Sequence, residues 1–251
     1  MNEEKFTGKA DIYAKYRPTY PDSLMDYLYS QVGFQKSSVI ADIGSGTGKF
    51  SQLLLQRGSL VYGVEPNEDM RRTAEKELSQ YPDFISVDAP AESTGLEDSG
   101  IDFVTVAQAF HWFDRQRFRA ECKRILKEKG KVVLLWNMRD ETSGLVRENE
   151  EIDRIYCPDF KGFSVGMGGE SPEKYSDFFK DGICEYNVFP NDLVFDEEGF
   201  IGRNLSASYS PKVGEEKYQP YLSALKRLFA KYSNSGYLSM PNFTRTYVGE
   251  V

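Results

Sequence analysis

Short apolar runs alternate with amphipathic stretches through the first half of the chain. Residues 38–43 form an apolar run that ends in glycines, which predicts a buried strand. Over 47–56, Phe50, Leu53 and Leu54 recur at helical spacing, and Gly58 supplies a C-terminal stop. Residues 60–65 predict a second strand. Asn67 then stands where a helix N-cap belongs. Glu68 and Asp69 occupy the first turn, where the helix dipole favours acids, and Met70, Ala74 and Leu78 share one face. Strands are predicted at 83–88 and 101–108. Phe118, Cys122, Ile125 and Leu126 mark another amphipathic helix with Gly130 as its stop, and 132–136 is a fifth strand. Fully apolar strands between helices indicate a parallel sheet covered on both faces.

The second half is less regular. Residues 148–156 predict a helix. The stretch 158–182, with Gly162, Gly166, Gly168 and Gly169, reads as a mobile insertion or lid. Cys184, Tyr186 and Val188 alternate with polar neighbours as in a strand. Leu222, Leu225, Phe229 and Tyr232 predict a long helix, and 243–248 a Thr- and aromatic-rich terminal strand. The expected organisation is an N-terminal helical lid segment (1–36), an α/β core (37–140), a cap (141–182), and strands and helices that complete the sheet and cap (183–251).

Charge and composition narrow the function classes. The 251 residues carry 31 Lys+Arg against 39 Asp+Glu, a net charge of −8. That balance argues against general nucleic-acid binding, which needs concentrated cations. The longest clean apolar run, 132–136, is far short of the ~20 residues that span a bilayer, and the first residues show no secretory pattern. Three cysteines without C-x-x-C spacing and a single histidine leave no zinc motif. The expectation is a metal-free cytoplasmic protein without membrane partners, monomeric or homodimeric.

Asp42-Ile43-Gly44-Ser45-Gly46-Thr47-Gly48 joins the first strand to the first helix. Glycines at alternate positions allow a sharp turn and let a ligand approach the main chain with no Cβ between. The loop is not a Walker phosphate loop, because Ile43 and Phe50 occupy positions that need glycine and Ser/Thr. It is one residue tighter than the dinucleotide fingerprint. Glu65, about twenty residues beyond Gly44, still suits the two hydroxyls of a ribose.

Asp42-x-Gly44-x-Gly46-x-Gly48, then Glu65, then Asp88-Ala89-Pro90-Ala91-Glu92 resembles the class I S-adenosylmethionine-dependent methyltransferases. The segments 13–21, with Tyr13, Tyr16 and Arg17, and 107–113, with Gln108, Ala109, His111 and Trp112, resemble the small-molecule branch related to trans-aconitate methyltransferase. The likeness implies a doubly wound, mostly parallel seven-stranded Rossmann-like sheet whose last strand is antiparallel, with an inserted cap. It implies S-adenosylmethionine as cofactor. Asp42, Gly44, Ser45 and Gly46 would surround its methionine part, and Glu65 with Pro66 its ribose. Asp88 and Ala89 would meet the adenine, and Gln108 and Ala109 would lie beneath the methionine and sulfonium. The aromatic rings of Tyr13, Tyr16 and Trp112 are candidates to close over that cation, and Arg17 to bring a positive charge to the cofactor carboxylate or to an anionic substrate.

The implied reaction is methyl transfer to a small molecule, a carboxylate or other oxygen being favoured. Tyr13, Trp112, Arg139 and Tyr209 are candidate substrate contacts. His111, the sole histidine, is either a general base or an aromatic pocket wall. Two other readings stay open, a cofactor-binding module without catalysis and a nicotinamide-dependent oxidoreductase.

Overall fold

A computed structural model describes residues 19–163, 175–207 and 209–251. In chain order its main elements are α1 (Asp22–Tyr27), which continues as a π-helical turn (Leu28–Val32), then β1 (Val39–Ile43), α2 (Lys49–Gln56), β2 (Leu60–Val64) and α3 (Glu68–Glu77). Next come β3 (Phe84–Val87), β4 (Ile101–Ala107), α4 (Arg115–Ile125), β5 (Leu126–Arg139) and α5 (Gly144–Tyr156). The remainder is β6 (Glu185–Pro190), β7 (Leu193–Phe195), α6 (Glu197–Leu205), α7 (Tyr218–Tyr232), β8 (Leu238–Met240) and β9 (Asn242–Gly249).

Seven strands make one sheet in the order β3-β2-β1-β4-β5-β9-β6. The first five run parallel, and β9 is antiparallel to both β5 and β6. The expected mostly parallel α/β sheet is therefore present, with the reversed last strand inside the sheet rather than on its edge. β7 and β8 pair separately.

Period-two alternation divides the sheet's side chains between two cores. Ile40, Val61, Phe103, Val133 and Leu135 pack with Leu24, Leu28, Phe34, Phe50 and Leu54. Ala41, Val104, Val106, Leu134 and Trp136 pack with Phe110, Phe118, Cys122 and Ile125. A third core, built by Leu145, Val146, Phe160, Phe200, Tyr221, Leu225 and Phe229, joins α5, α6 and α7 into a cap. Among the described residues no helix is long and apolar enough to cross a membrane.

Within the expected N-terminal helical segment, Leu24, Met25, Tyr27, Leu28 and Phe34 are all buried against the sheet. Three local expectations need correction. The helix predicted to stop at Gly130 ends at Ile125, because β5 begins at Leu126 and passes through Gly130. Tyr175, Phe178 and Phe179, assigned to a mobile insertion, are buried in the core, and Tyr175 stacks on Trp136 with ring centroids 4.8 Å apart. Gly166, Gly168 and Gly169 of that stretch lie outside the described residues. The helix predicted at 148–156 starts earlier, at Gly144.

Candidate functional site

The C-terminal ends of the parallel strands carry the loops in which a doubly wound sheet binds ligands. At the end of β1, Gly44, Gly46 and Gly48 have φ of 69°, 57° and 79°, a left-handed run that L-side chains resist. The N–H groups of Gly44 and Ser45 donate to Val64 O at 2.8 and 3.2 Å, which stitches the loop to the end of β2. A Cβ on Gly44 would fall 2.5 Å from Ala109 Cβ, so this glycine permits close packing on the loop after β4. A Cβ on Gly46 would meet nothing within 4 Å and would project into open space.

Glu65 follows β2 and faces this loop. Its Oε2 accepts from Gly46 N–H and its Oε1 from Asn67 N–H, both at 2.9 Å. A carboxylate has about four acceptor positions, so these two bonds fix its plane and are compatible with further donors. Asn67 caps α3 by accepting from Met70 N–H at 3.0 Å, as its place in the sequence predicts.

Arg71, one turn into α3, was not anticipated. It donates to Glu65 O at 3.0 Å, to Pro66 O at 3.3 Å and to Asp88 Oδ2 at 2.8 Å. It thereby ties the end of β2 to the end of β3. A cation near a helix N-terminus opposes the dipole, and that misplaced charge is the sequence signal that could have exposed it. Asp88 is exposed, while Ala89 is buried beneath it.

Asp42 turns away from the crevice. It is fully buried and accepts from Ser51 Oγ at 2.6 Å and Thr105 Oγ1 at 2.9 Å. Burial pushes its carboxyl up to about 6, against the pull of those two hydroxyls. The expectation that Asp42 lines the ligand space is therefore revised: it braces the loop from below.

Gln108, at the end of β4, is held at φ 63°, outside the range its side chain prefers. Its N–H donates to Leu135 O at 2.9 Å and its Nε2 to Asn137 O at 3.2 Å. Such conformations cost of order 1–3 kcal/mol and concentrate where a backbone must present itself to a ligand. A 3₁₀ turn, Phe110–Trp112, follows; Phe110 is buried, His111 half-buried and Trp112 exposed, with the last two rings 4.6 Å apart. Asn137, near the end of β5, and Asn191, just after β6, both donate to Thr19 O, at 3.2 and 3.0 Å, fixing the chain there against the strand ends.

Arg139 ends β5 with its guanidinium 3.6 Å from the centre of the Phe163 ring, and it neighbours Tyr209 and Asp153. The structure thus gathers Gly44, Ser45, Gly46, Glu65, Pro66, Asp88, Gln108 and Ala109 around the ends of β1–β4. Arg139 and Tyr209 stand together at the cap. Tyr13, Tyr16 and Arg17 lie outside the described residues. Among the described residues, no cluster of His, Cys, Asp and Glu has the make-up of a metal site.

The comparisons agree with this geometry. The methyltransferase-domain family matches residues 41–134, the span from β1 into β5. An uncharacterized methyltransferase of Mycobacterium tuberculosis is 36% identical over 163 residues, covering 61% of this chain and 64% of the relative's length. An uncharacterized methyltransferase-like protein of Schizosaccharomyces pombe is 26% identical over 253 residues, 97% of this chain and 95% of that protein. The structure of a putative type II methyltransferase from Anaeromyxobacter dehalogenans is similar with a TM-score of 0.67 and 22% identity, over 94% of this chain and 98% of that one. At that identity the likeness speaks for the fold.

Proposed function

We propose that the chain is a class I S-adenosylmethionine-dependent methyltransferase that methylates an oxygen of a small-molecule acceptor, a reading supported by the methyltransferase-domain match over residues 41–134. The observation that carries this reading is the Glu65 carboxylate, oriented by two backbone N–H groups beside an open glycine and tied through Arg71 to Asp88. A sugar and a base placed along β2 and β3 would find one carboxylate each.

The residues fit the cofactor. Glu65 accepts from the ribose hydroxyls, Asp88 from the adenine amino group, and the backbone around Gly44 and Gly46 faces the amino-acid portion, with room where a Cβ on Gly46 would stand. Gln108 and Ala109 form the floor towards β5. When bound, S-adenosylmethionine supplies a methyl group activated on a sulfonium and open to in-line displacement. What remains for the chain is to align the acceptor and exclude water. Arg139 is placed to hold an anionic acceptor. A carboxylate oxygen brings its own lone pair and needs no base, whereas a hydroxyl would give its proton to His111. The acidic surface, at −8, suits a small acceptor better than nucleic acid.

Thermal shift and calorimetry with S-adenosylhomocysteine and NAD test the cofactor, and transfer of labelled methyl from S-adenosylmethionine to a panel of small acids and alcohols tests the reaction. Stabilisation by the homocysteine product, together with a labelled ester or ether, is the expected result. Preference for NAD, or tight product binding with no labelled acceptor, would overturn it in favour of an oxidoreductase or a binding module.

A further inference from the structure

The interior of the cap contains polar side-chain atoms that the fold leaves without a hydrogen-bond partner. Asn149 and Asp153 lie one turn apart on the same face of α5, and both are fully buried. Neither the amide nitrogen nor the amide oxygen of Asn149 has a hydrogen-bond partner. Asp153 accepts from Tyr221 Oη at 2.6 Å through Oδ1, but Oδ2 has none. On α6, buried Asn204 donates to Phe200 O at 2.9 Å and leaves its own oxygen unmatched. The buried Nε of Arg139 likewise has no acceptor.

An orphaned buried polar group is costly, so three such residues on the helices of one cap, with Arg139 at the adjoining end of β5, call for a reason. The core that joins the same helices, with Leu145, Phe160, Phe200 and Leu225, is apolar. Arg139 is the link to the crevice: it ends β5, two residues beyond the Asn137 that holds Gln108, and its charge reaches Asp153. Tyr209 neighbours both.

We propose that the cap interior is the acceptor pocket, and that Arg139, Asn149 and Asp153 select a carboxylic acid bearing a hydroxyl or amino group on the neighbouring carbon. The unmatched groups are complementary to that pair. Arg139 Nε–H and the Asn149 amide N–H are donors for a carboxylate, whereas Asp153 Oδ2 and the Asn149 oxygen are acceptors for a hydroxyl or ammonium. A simple fatty acid would leave the acceptors unmatched, and an alcohol would leave the guanidinium unmatched. The proposal deepens the methyltransferase reading and rests on it. Asp153 is assigned to specificity, and Tyr221, which orients it, is a positioning residue.

The test titrates the full chain, saturated with S-adenosylhomocysteine, with 2-hydroxy acids of four to eight carbons, the matching 2-amino acids and the matching unsubstituted acids. One substituted series is expected to bind at least tenfold tighter than its unsubstituted counterpart. Asp153→Asn should cut that preference below threefold while affinity for S-adenosylhomocysteine stays within twofold. Arg139→Gln should weaken all the acids together by tenfold or more. If Asp153→Asn does not fold, Tyr221→Phe should reduce the same preference. Equal binding of substituted and unsubstituted acids, no binding of either, or a preference that survives these substitutions would overturn the proposal with the cofactor reading intact. Failure of S-adenosylhomocysteine itself to bind would instead remove the reading beneath it.

Discussion

Glu65 and Gly46 together make the sharpest residue-scale test, because one supplies charge and the other supplies space. In Glu65→Gln, one of the two backbone N–H groups now held at 2.9 Å would face an amide NH₂ instead of an oxygen. Hydrogen bonds to a charged group contribute about 1.5–3 kcal/mol, so calorimetry should show affinity for S-adenosylhomocysteine falling roughly tenfold to a hundredfold. Gly46→Ala separates ligand from fold. Nothing in the protein meets the added methyl, and the left-handed backbone costs about 1–2 kcal/mol. A modest loss in denaturant stability should therefore accompany a drop of more than tenfold in affinity for S-adenosylhomocysteine. Equal affinity would mean the ligand does not pass over this glycine. Both residues were legible from spacing. Arg71 and the Ser51 and Thr105 hydroxyls were not, because their partners lie in other elements and no local pattern marks them.

Elements carried a clear signal where their periodicity was pure. β1, β2, α3 and β4 appear within two residues of expectation, since fully apolar strands and a capped amphipathic helix leave little ambiguity. α5 shows why the rest failed. Its inward face is Leu145, Val146, Asn149 and Asp153, so two of the four buried positions are polar and the hydrophobic stripe is broken. α1 was expected only as part of an N-terminal helical segment, because six residues are too few to show a period of their own, although Leu24, Met25 and Tyr27 are all buried. That burial yields a prediction. Leu24→Ala should cost about 2–5 kcal/mol, the range for truncating a buried leucine, read as a lowered denaturation midpoint of the entire domain. A midpoint within error of wild type would mean that the packing of α1 on the sheet adds nothing to stability.

At the scale of the whole molecule, the buried acid at the base of the glycine loop should leave a mark on the pH dependence of stability. Asp42 titrates near 6 in the folded protein because of burial, against an ordinary carboxylate value when unfolded. A raised carboxyl contributes stability that is complete below the unfolded value and lost as pH climbs through the folded one. Asp42→Asn has no such titration. Measured by urea unfolding, its stability relative to wild type should therefore rise by about 1–3 kcal/mol between about pH 4 and pH 7, then level off. A pH-independent difference would mean that Asp42 is ionised without penalty. The sheet order has another consequence, in time rather than in energy. β1 to β4 join by local crossovers, but β5 finds β9 only by closing a long loop, as in the Thr244 to Asn137 contact between residues 107 apart. Distant pairings are reached slowly. In pulsed hydrogen exchange during refolding, amides of β1, β2 and β4 should gain protection first. Those of β9 and β6 should follow, so the half of the sheet that carries the glycine loop and Glu65 would take shape before its far edge closes.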